Sequence, residues 1–299
     1  MTTIDVIDDT GANDQLRVQV ADILARVAPL VEPTTGLALP ERVTFRIVPP
    51  RTWQAEQGAE VLRRMRRYRM LSPLRERPLI GLKSLVSMGL FKWMAPKVGE
   101  VLVMGATQPI GDAYESQTLF VAEALQHNGV LSDPMYLTQL TVHELVHQTQ
   151  NFITRHRGTW ENDAPATHAR ELNVDVLEEG HAHWADLIMT RSEFGTSCDV
   201  FSAPKSDRYK TVSKHPLLPN AKSRSQPYEV GRTLVASTFD TVGPRIFNRV
   251  WTDARLLPTD EEVAEAAESL TADPPIQPGL WATRLQHTAA PSGDPSPSA

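Results

Sequence analysis

The stretch Thr141-Val142-His143-Glu144-Leu145-Val146-His147-Gln148 constrains this 299-residue chain more than any other. Two histidines four positions apart share one face of an α-helix, so a helical segment aims both rings at one point. Such a pair is a ready set of zinc ligands, with Zn–N distances of about 2.0–2.1 Å. Glu144 follows His143 by one residue, about 100° around the helix axis. That rotation sets its carboxylate beside the metal position, within reach of a reacting water. The ordinary alternative is a chance spacing on a surface helix. Val142, Leu145, Val146 and Phe152 argue against it, because they give the segment an apolar side away from the histidines and let it pack as a core helix.

A catalytic zinc usually has three protein ligands. A third histidine supplied by a Gly-and-His extension, three and six residues after His147, is excluded, since Gln150 and Ile153 stand there. A later helical stretch, expected at residues 169–191, carries the acidic candidates Glu178 and Glu179. Asp175, Glu179, His183 and Asp186 share a face at spacings of four and seven. Val174, Leu177, Trp184 and Ile188 form the opposite stripe and are expected to face the core. Glu178 lies between the two, so helix geometry prefers Glu179 as the third ligand. His183 and Asp186 are then expected just behind or beside the ligands. A ligating histidine donates its other N–H to a carboxylate or carbonyl, and Asp186 or Asp175 is suited to accept it. His181 falls on the apolar side and reads as a satisfied core histidine.

Composition narrows the partners. A net charge of −6 argues against a generic nucleic-acid binder. Cys198 is the only cysteine, which rules out an intrachain disulfide and disfavours a thiolate metal site. The acidic residues 1–9 lack the basic region and apolar run of a secretory signal, and no uncharged apolar run reaches about 18 residues. The expected location is the cytoplasm, without an integral membrane segment. The oligomeric state is open.

Hydrophobic periodicity and breakers divide the chain. A polar, flexible lead is expected at 1–14. An N-terminal lobe at 15–152 begins with a helix over 16–31 that Pro33 ends. A half-buried strand follows at 42–48, a helix at 53–71 and strands at 100–105 and 118–123, the last expected to line the cleft as the strand an extended substrate meets. The histidine helix spans 134–152. A basic run over 63–97 reads as a solvated face, with a patch for an anionic partner or membrane surface as the alternative, and an amphipathic helix is expected within it at 79–94. A helical C-terminal lobe at 153–288 carries the third ligand and a helical pattern at 228–253. Residues 289–299 have the composition of a disordered tail.

His143-Glu144-x-x-His147 combined with Glu179 resembles the gluzincins, the clan that includes thermolysin-type proteases. Thermolysin-like enzymes carry Asp four residues after the ligand Glu; His183 stands there, so that subgroup does not fit. A closer resemblance is to the zincin-like metallopeptidase type 2 proteins of actinobacteria. It rests on Glu179-Gly180-His181-Ala182, Tyr228-Glu229-Val230-Gly231-Arg232, Leu257-Pro258-Thr259, and Trp281 with Arg284. The likeness spans residues 136–285 and implies a zincin fold and a zinc site, but no particular substrate. The expected architecture is α+β and mainly helical, zincin-like, with a small N-terminal sheet above the active-site helix. The expected activity is that of a zinc metallopeptidase acting on a peptide or protein. His143, His147 and Glu179 hold the metal and Glu144 is the general base. Tyr228, Arg232 and His183 are candidates to stabilise the developing oxyanion, with Tyr228 suited by its chemistry. The alternatives are a zincin-fold binding or regulatory protein and a hydrolase of non-peptide amides. An intact Glu144 favours an enzyme, because a scaffold has no use for the base.

Overall fold

A computed structural model describes residues 2–71, 98–110, 115–163, 171–216, 218, 221–273 and 276–289. The architecture is α+β and mostly helical, with one four-stranded sheet. β1 (Thr3–Asp8) pairs in parallel with β2 (Arg42–Ile47), which pairs in parallel with β4 (Ser116–Phe120). β3 (Gly105–Pro109) runs antiparallel to β4 on the far side, giving the order β1-β2-β4-β3.

Three expectations change here. The lead at 1–14 is a strand from Thr3 to Asp8: Ile4 and Val6 pack on the core while Asp5 pairs outward with Arg42 at 2.9 Å. Asp5 alternates with Ile4 and Val6 onto the outer face, and Asp8 ends the strand by accepting from the Thr10 and Asn13 N–H groups. Residues 98–101 are helical, and the strand begins only at Gly105. The apolar run there buries Val101 as part of a helical turn, and a short apolar run has no period that separates the two outcomes. β4 lies between β2 and β3, so the strand expected at 118–123 is interior; among the described residues β3 is the open edge on that side.

Val43, Phe45 and Ile47 alternate onto one face of β2 and are fully buried. With Phe120 they pack against α1 (Asp14–Thr35) and the histidine helix α4 (Pro134–Thr154) in one hydrophobic cluster. Val48, Leu119 and Val121 form a second cluster with Trp53 of α2 (Pro50–Leu71). α1 runs through Pro29 and Pro33 and ends at Gly36, where φ is 70°. The helix tolerates both prolines, and its stop is the left-handed glycine, whose N–H closes onto the Glu32 carbonyl at 2.8 Å. The short α3 (Ala122–His127) leads to α4.

The C-terminal half is helical. α5 (Glu171–Phe194) carries the acidic candidates, and α7 (Ala221–Phe247) packs across it after the short α6 (Asp207–Ser213). α7 kinks at Gly243, with φ 74° and ψ 165°, just before Pro244. α8 (Asp260–Ser269) starts with a capping box in which Thr259 and Glu262 satisfy each other's backbone N–H groups. Arg284 of α9 (Leu280–Ala289) grips Glu262 with Nε–Oε1 2.7 Å and Nη2–Oε2 2.9 Å, and donates to the carbonyls of Arg255, Leu256 and Leu257. Trp281 is buried and donates Nε1–H to the Leu256 carbonyl at 2.9 Å. The Leu257-Pro258-Thr259 and Trp281/Arg284 motifs therefore form one clasp that closes the helical half.

Two residues expected in the core are not there: Phe152 is 37% and Ile188 42% exposed. In the second half of α5 the buried stripe passes through Ala182, Ala185, Met189 and Thr190. From residue 64 to 97 the side chains of the basic run, and with them the expected 79–94 helix, lie outside the described residues, as do residues 290–299 of the tail. Among the described residues no helix is long and apolar enough to cross a membrane.

Candidate metal centre

α4 starts at Pro134, with the Asp133 side chain accepting from the Met135 N–H at 2.8 Å as N-cap. Val142, Leu145 and Val146 are fully buried and fix the rotation of the helix. His143 and His147 then face α5, with Nε2 atoms 3.1 Å apart and rings at 4.7 Å between centroids. Val174 and Leu177 of α5 are buried and Trp184 nearly so, which turns Glu179 toward the histidines. Glu179 Oε2 lies 3.2 Å from His143 Nε2 and 3.5 Å from His147 Nε2. Glu178 points elsewhere, into an ion pair with Arg157.

Hydrogen bonding decides what those three atoms are. The Gln150 side chain must turn its NH₂ to the Glu178 carbonyl, at 2.9 Å, so its Oε1 faces His147 Nδ1 at 2.8 Å. His147 therefore carries its proton on Nδ1 and leaves Nε2 a bare lone pair. On the other side, the Val200 N–H donates to Gln139 Oε1 at 2.8 Å, which leaves Gln139 Nε2 to donate to Asp186 Oδ1 at 2.9 Å. Asp186 Oδ2 faces His143 Nδ1 at 2.9 Å and His183 Nδ1 at 3.3 Å. His143 thus has the same tautomer. Two ring nitrogens and a carboxylate oxygen meet with edges of 3.1, 3.2 and 3.5 Å, an arrangement that repels itself unless a proton or a metal ion sits among them.

The donor set fits zinc. Bonds of about 2.0–2.1 Å in a tetrahedron put donor atoms about 3.3–3.4 Å apart, and the observed edges of 3.1, 3.2 and 3.5 Å fall on either side of that spacing. The electrostatics ask for the same charge. Burial opposes a charged His143, yet Asp186 and then Glu179 outweigh it and push its pKa up to about 10. Burial likewise disfavours charge on Glu179, but His147 and His143 hold its carboxyl well below the usual range. A second grouping, His143 with His183 and Asp186, also brings possible ligand atoms together, all of them buried. There both Nδ1–H groups already point at Asp186 Oδ2, so it reads as the hydrogen-bonded support behind His143.

Glu144 is 5% exposed and lies under the edge strand. Thr107 of β3 donates its hydroxyl to Glu144 Oε2 at 2.6 Å, and the Thr118 hydroxyl meets that of Thr107 at 2.7 Å. A Cβ on Gly105 would come within 2.6 Å of Glu144 Oε1, so glycine at the start of β3 leaves room for the carboxylate. Tyr228 of α7 packs its ring 5.7 Å from that of His143, close enough to Glu179 to feel its charge. The negative charge of Glu179, with burial, raises its pKa well above the usual value. Arg232 makes no hydrogen bond or ion pair with this cluster among the described residues. Asp175, the other carboxylate expected as a possible histidine partner, pairs with Arg157 at 2.7 Å instead. His181 is fully buried against Trp184, Phe247 and Trp251 and accepts from Gln150 Nε2 at 3.0 Å. Its Nε2 has no hydrogen-bond partner among the described residues, so it is only half satisfied there; burial first, then the charge of His147, lower its pKa to about 3 and keep it neutral.

Several contributors carry no prior signal as site residues. Gln139 and Gln150 stand four residues before His143 and three after His147, on the histidine face, and that spacing alone marks them as neighbours. Thr107, Gly105 and Arg157 reach the site through tertiary packing.

No family model matches the chain, and no curated protein matches it. Among solved structures, that of a "putative hydrolase with a novel fold" from Chloroflexus aurantiacus is similar, with a TM-score of 0.52 and 17% identity. The alignment covers 92% of this chain and 91% of that one, and at this identity the likeness is one of fold.

Proposed function

We propose that the protein is a zinc-dependent hydrolase of zincin type that cleaves peptide bonds. The observation that carries the proposal is the triangle of His143 Nε2, His147 Nε2 and Glu179 Oε2, with both histidine Nδ1 atoms committed to hydrogen bonds. These three residues would hold the metal. Zinc bound there would lower the pKa of water toward about 7 and polarise a substrate carbonyl.

The chain's own groups supply the rest. Thr107 holds Glu144 Oε2, and Oε1 makes no hydrogen bond among the described residues. Glu144 takes the proton of the attacking water as its oxygen bonds to the carbonyl carbon, then delivers it to the amine as the C–N bond breaks. Tyr228 supplies an O–H beside Glu179, suited to the developing oxyanion. β3 lies over Glu144 and presents a strand edge, which suits an extended peptide. The Chloroflexus neighbour is itself described as a "putative hydrolase", in accord with this class of reaction.

The test is digestion of a mixed peptide library by zinc-loaded protein, with Glu144→Gln as the control. Cleavage by the wild type and not by the variant is expected. Equal cleavage by both would remove the mechanism.

A further inference from the structure

The chain leaves α4 through three successive left-handed residues, Arg155, His156 and Arg157, with φ of 49°, 54° and 70°. Side chains disfavour this backbone, and three in a row persist only where the surroundings hold them. Here the His156 N–H bonds the Asn151 carbonyl at 2.8 Å, the Arg157 N–H the Thr154 hydroxyl at 3.1 Å, and the Gly158 N–H the Arg155 carbonyl at 3.0 Å. The result is an abrupt reversal that lays the Arg157 side chain on α5.

There the guanidinium forks onto Glu178, with Nε 3.1 Å from Oε1 and Nη2 on Oε2, and Nη2 also meets Asp175 Oδ1 at 2.7 Å. This is not a solvated pair: the side chains of Arg157 and Glu178 are only 22% and 12% exposed. Glu178 is the residue beside Glu179, and its carbonyl accepts from the amide that orients His147. Two consecutive carboxylates thus stand on α5, one on the histidine pair and the other on Arg157. An unpaired Glu178, largely out of water, would be relieved by turning α5 or by competing for the cation at the histidines. A fork–fork pair closes both routes, because it fixes direction as well as charge.

We infer that Arg157 is a positioning residue for the metal centre: it holds Glu178 away, so that Glu179 alone presents a carboxylate to His143 and His147. This rests on the zinc reading above. It concerns which carboxylate binds, and that is separable from catalysis.

The test is zinc affinity by chelator competition, together with the visible absorption of cobalt-loaded protein. Arg157→Gln is expected to weaken zinc about 10–100-fold, the range for losing an outer support of a metal ligand, and to change the cobalt spectrum. Glu178→Gln alone should keep wild-type affinity and spectrum. The double variant Arg157→Gln/Glu178→Gln should regain most of both, an outcome that a merely structural role for Arg157 does not give. Wild-type affinity in Arg157→Gln, or a double variant as weak as the single, would overturn the inference. A wild-type protein that takes up neither metal would overturn the zinc reading itself, a result visible before any variant is made.

Discussion

Gly180 of α5 and Gly231 of α7 meet backbone to backbone: a Cβ on Gly180 would collide with Gly231, and one on Gly231 with the Val176 carbonyl. Each glycine stands beside a site residue. Glu179 precedes Gly180, and Tyr228 lies one helical turn before Gly231. The close crossing sets the tyrosine within the field of the Glu179 carboxylate. The Glu179–Ala182 and Tyr228–Arg232 stretches therefore meet at a single packing contact.

Gly231→Ala separates two physical effects of opposite sign. Helix propensity alone favours alanine by about 1 kcal/mol. The collision with Val176 forces the helices apart, and overpacking of this kind costs about 1–3 kcal/mol. Net destabilisation in chemical denaturation is expected, with weaker zinc binding as Tyr228 and Glu179 move. A more stable variant would mean that α5 and α7 cross less closely.

Asp186→Asn keeps the shape of the carboxylate and removes its charge. His143 Nδ1–H and His183 Nδ1–H would then share a neutral oxygen. Zinc affinity is expected to fall about 10–100-fold while the fold persists. Unchanged affinity in chelator competition would show that Asp186 supports packing and not the ligand.

Glu144→Gln should leave zinc affinity unchanged, because the amide oxygen still accepts from Thr107 and the residue is not a ligand. Turnover of any substrate found should fall about 10²–10⁴-fold, the usual worth of a positioned base. Loss of metal instead would place Glu144 among the ligands.

Arg284→Ala tests the clasp far from the metal. Breaking a fully buried ion pair costs about 3–5 kcal/mol, and the partial exposure of Arg284, at 28%, reduces that to on the order of 2–4. A lower denaturation midpoint with unchanged zinc per folded chain is expected. Zinc loss in the folded fraction would tie this motif to the site.

The site's helices are legible in the sequence because local rules govern them. Histidines four apart and a stripe of Val174, Leu177 and Trp184 settle the phases of α4 and α5, and with them the direction of Glu179. What is illegible depends on partners distant in the chain. Arg157 meets Glu178 across 21 residues, and Thr107 meets Glu144 across 37. Thr3–Asp8 reads as a polar lead because a parallel strand needs β2 to exist before its alternation means anything. The edge position of β3 depends on sheet order, which no local pattern encodes.

The central claim is that Glu179, with His143 and His147, closes a zinc site that Glu178 does not share. Elemental analysis of protein purified without chelator tests it most directly, on the wild type and on Glu178→Ala and Glu179→Ala. The account predicts one zinc per chain in the wild type, near-wild-type zinc in Glu178→Ala and little or none in Glu179→Ala. Zinc retained in Glu179→Ala, or none taken up by the wild type when zinc is added, would contradict it.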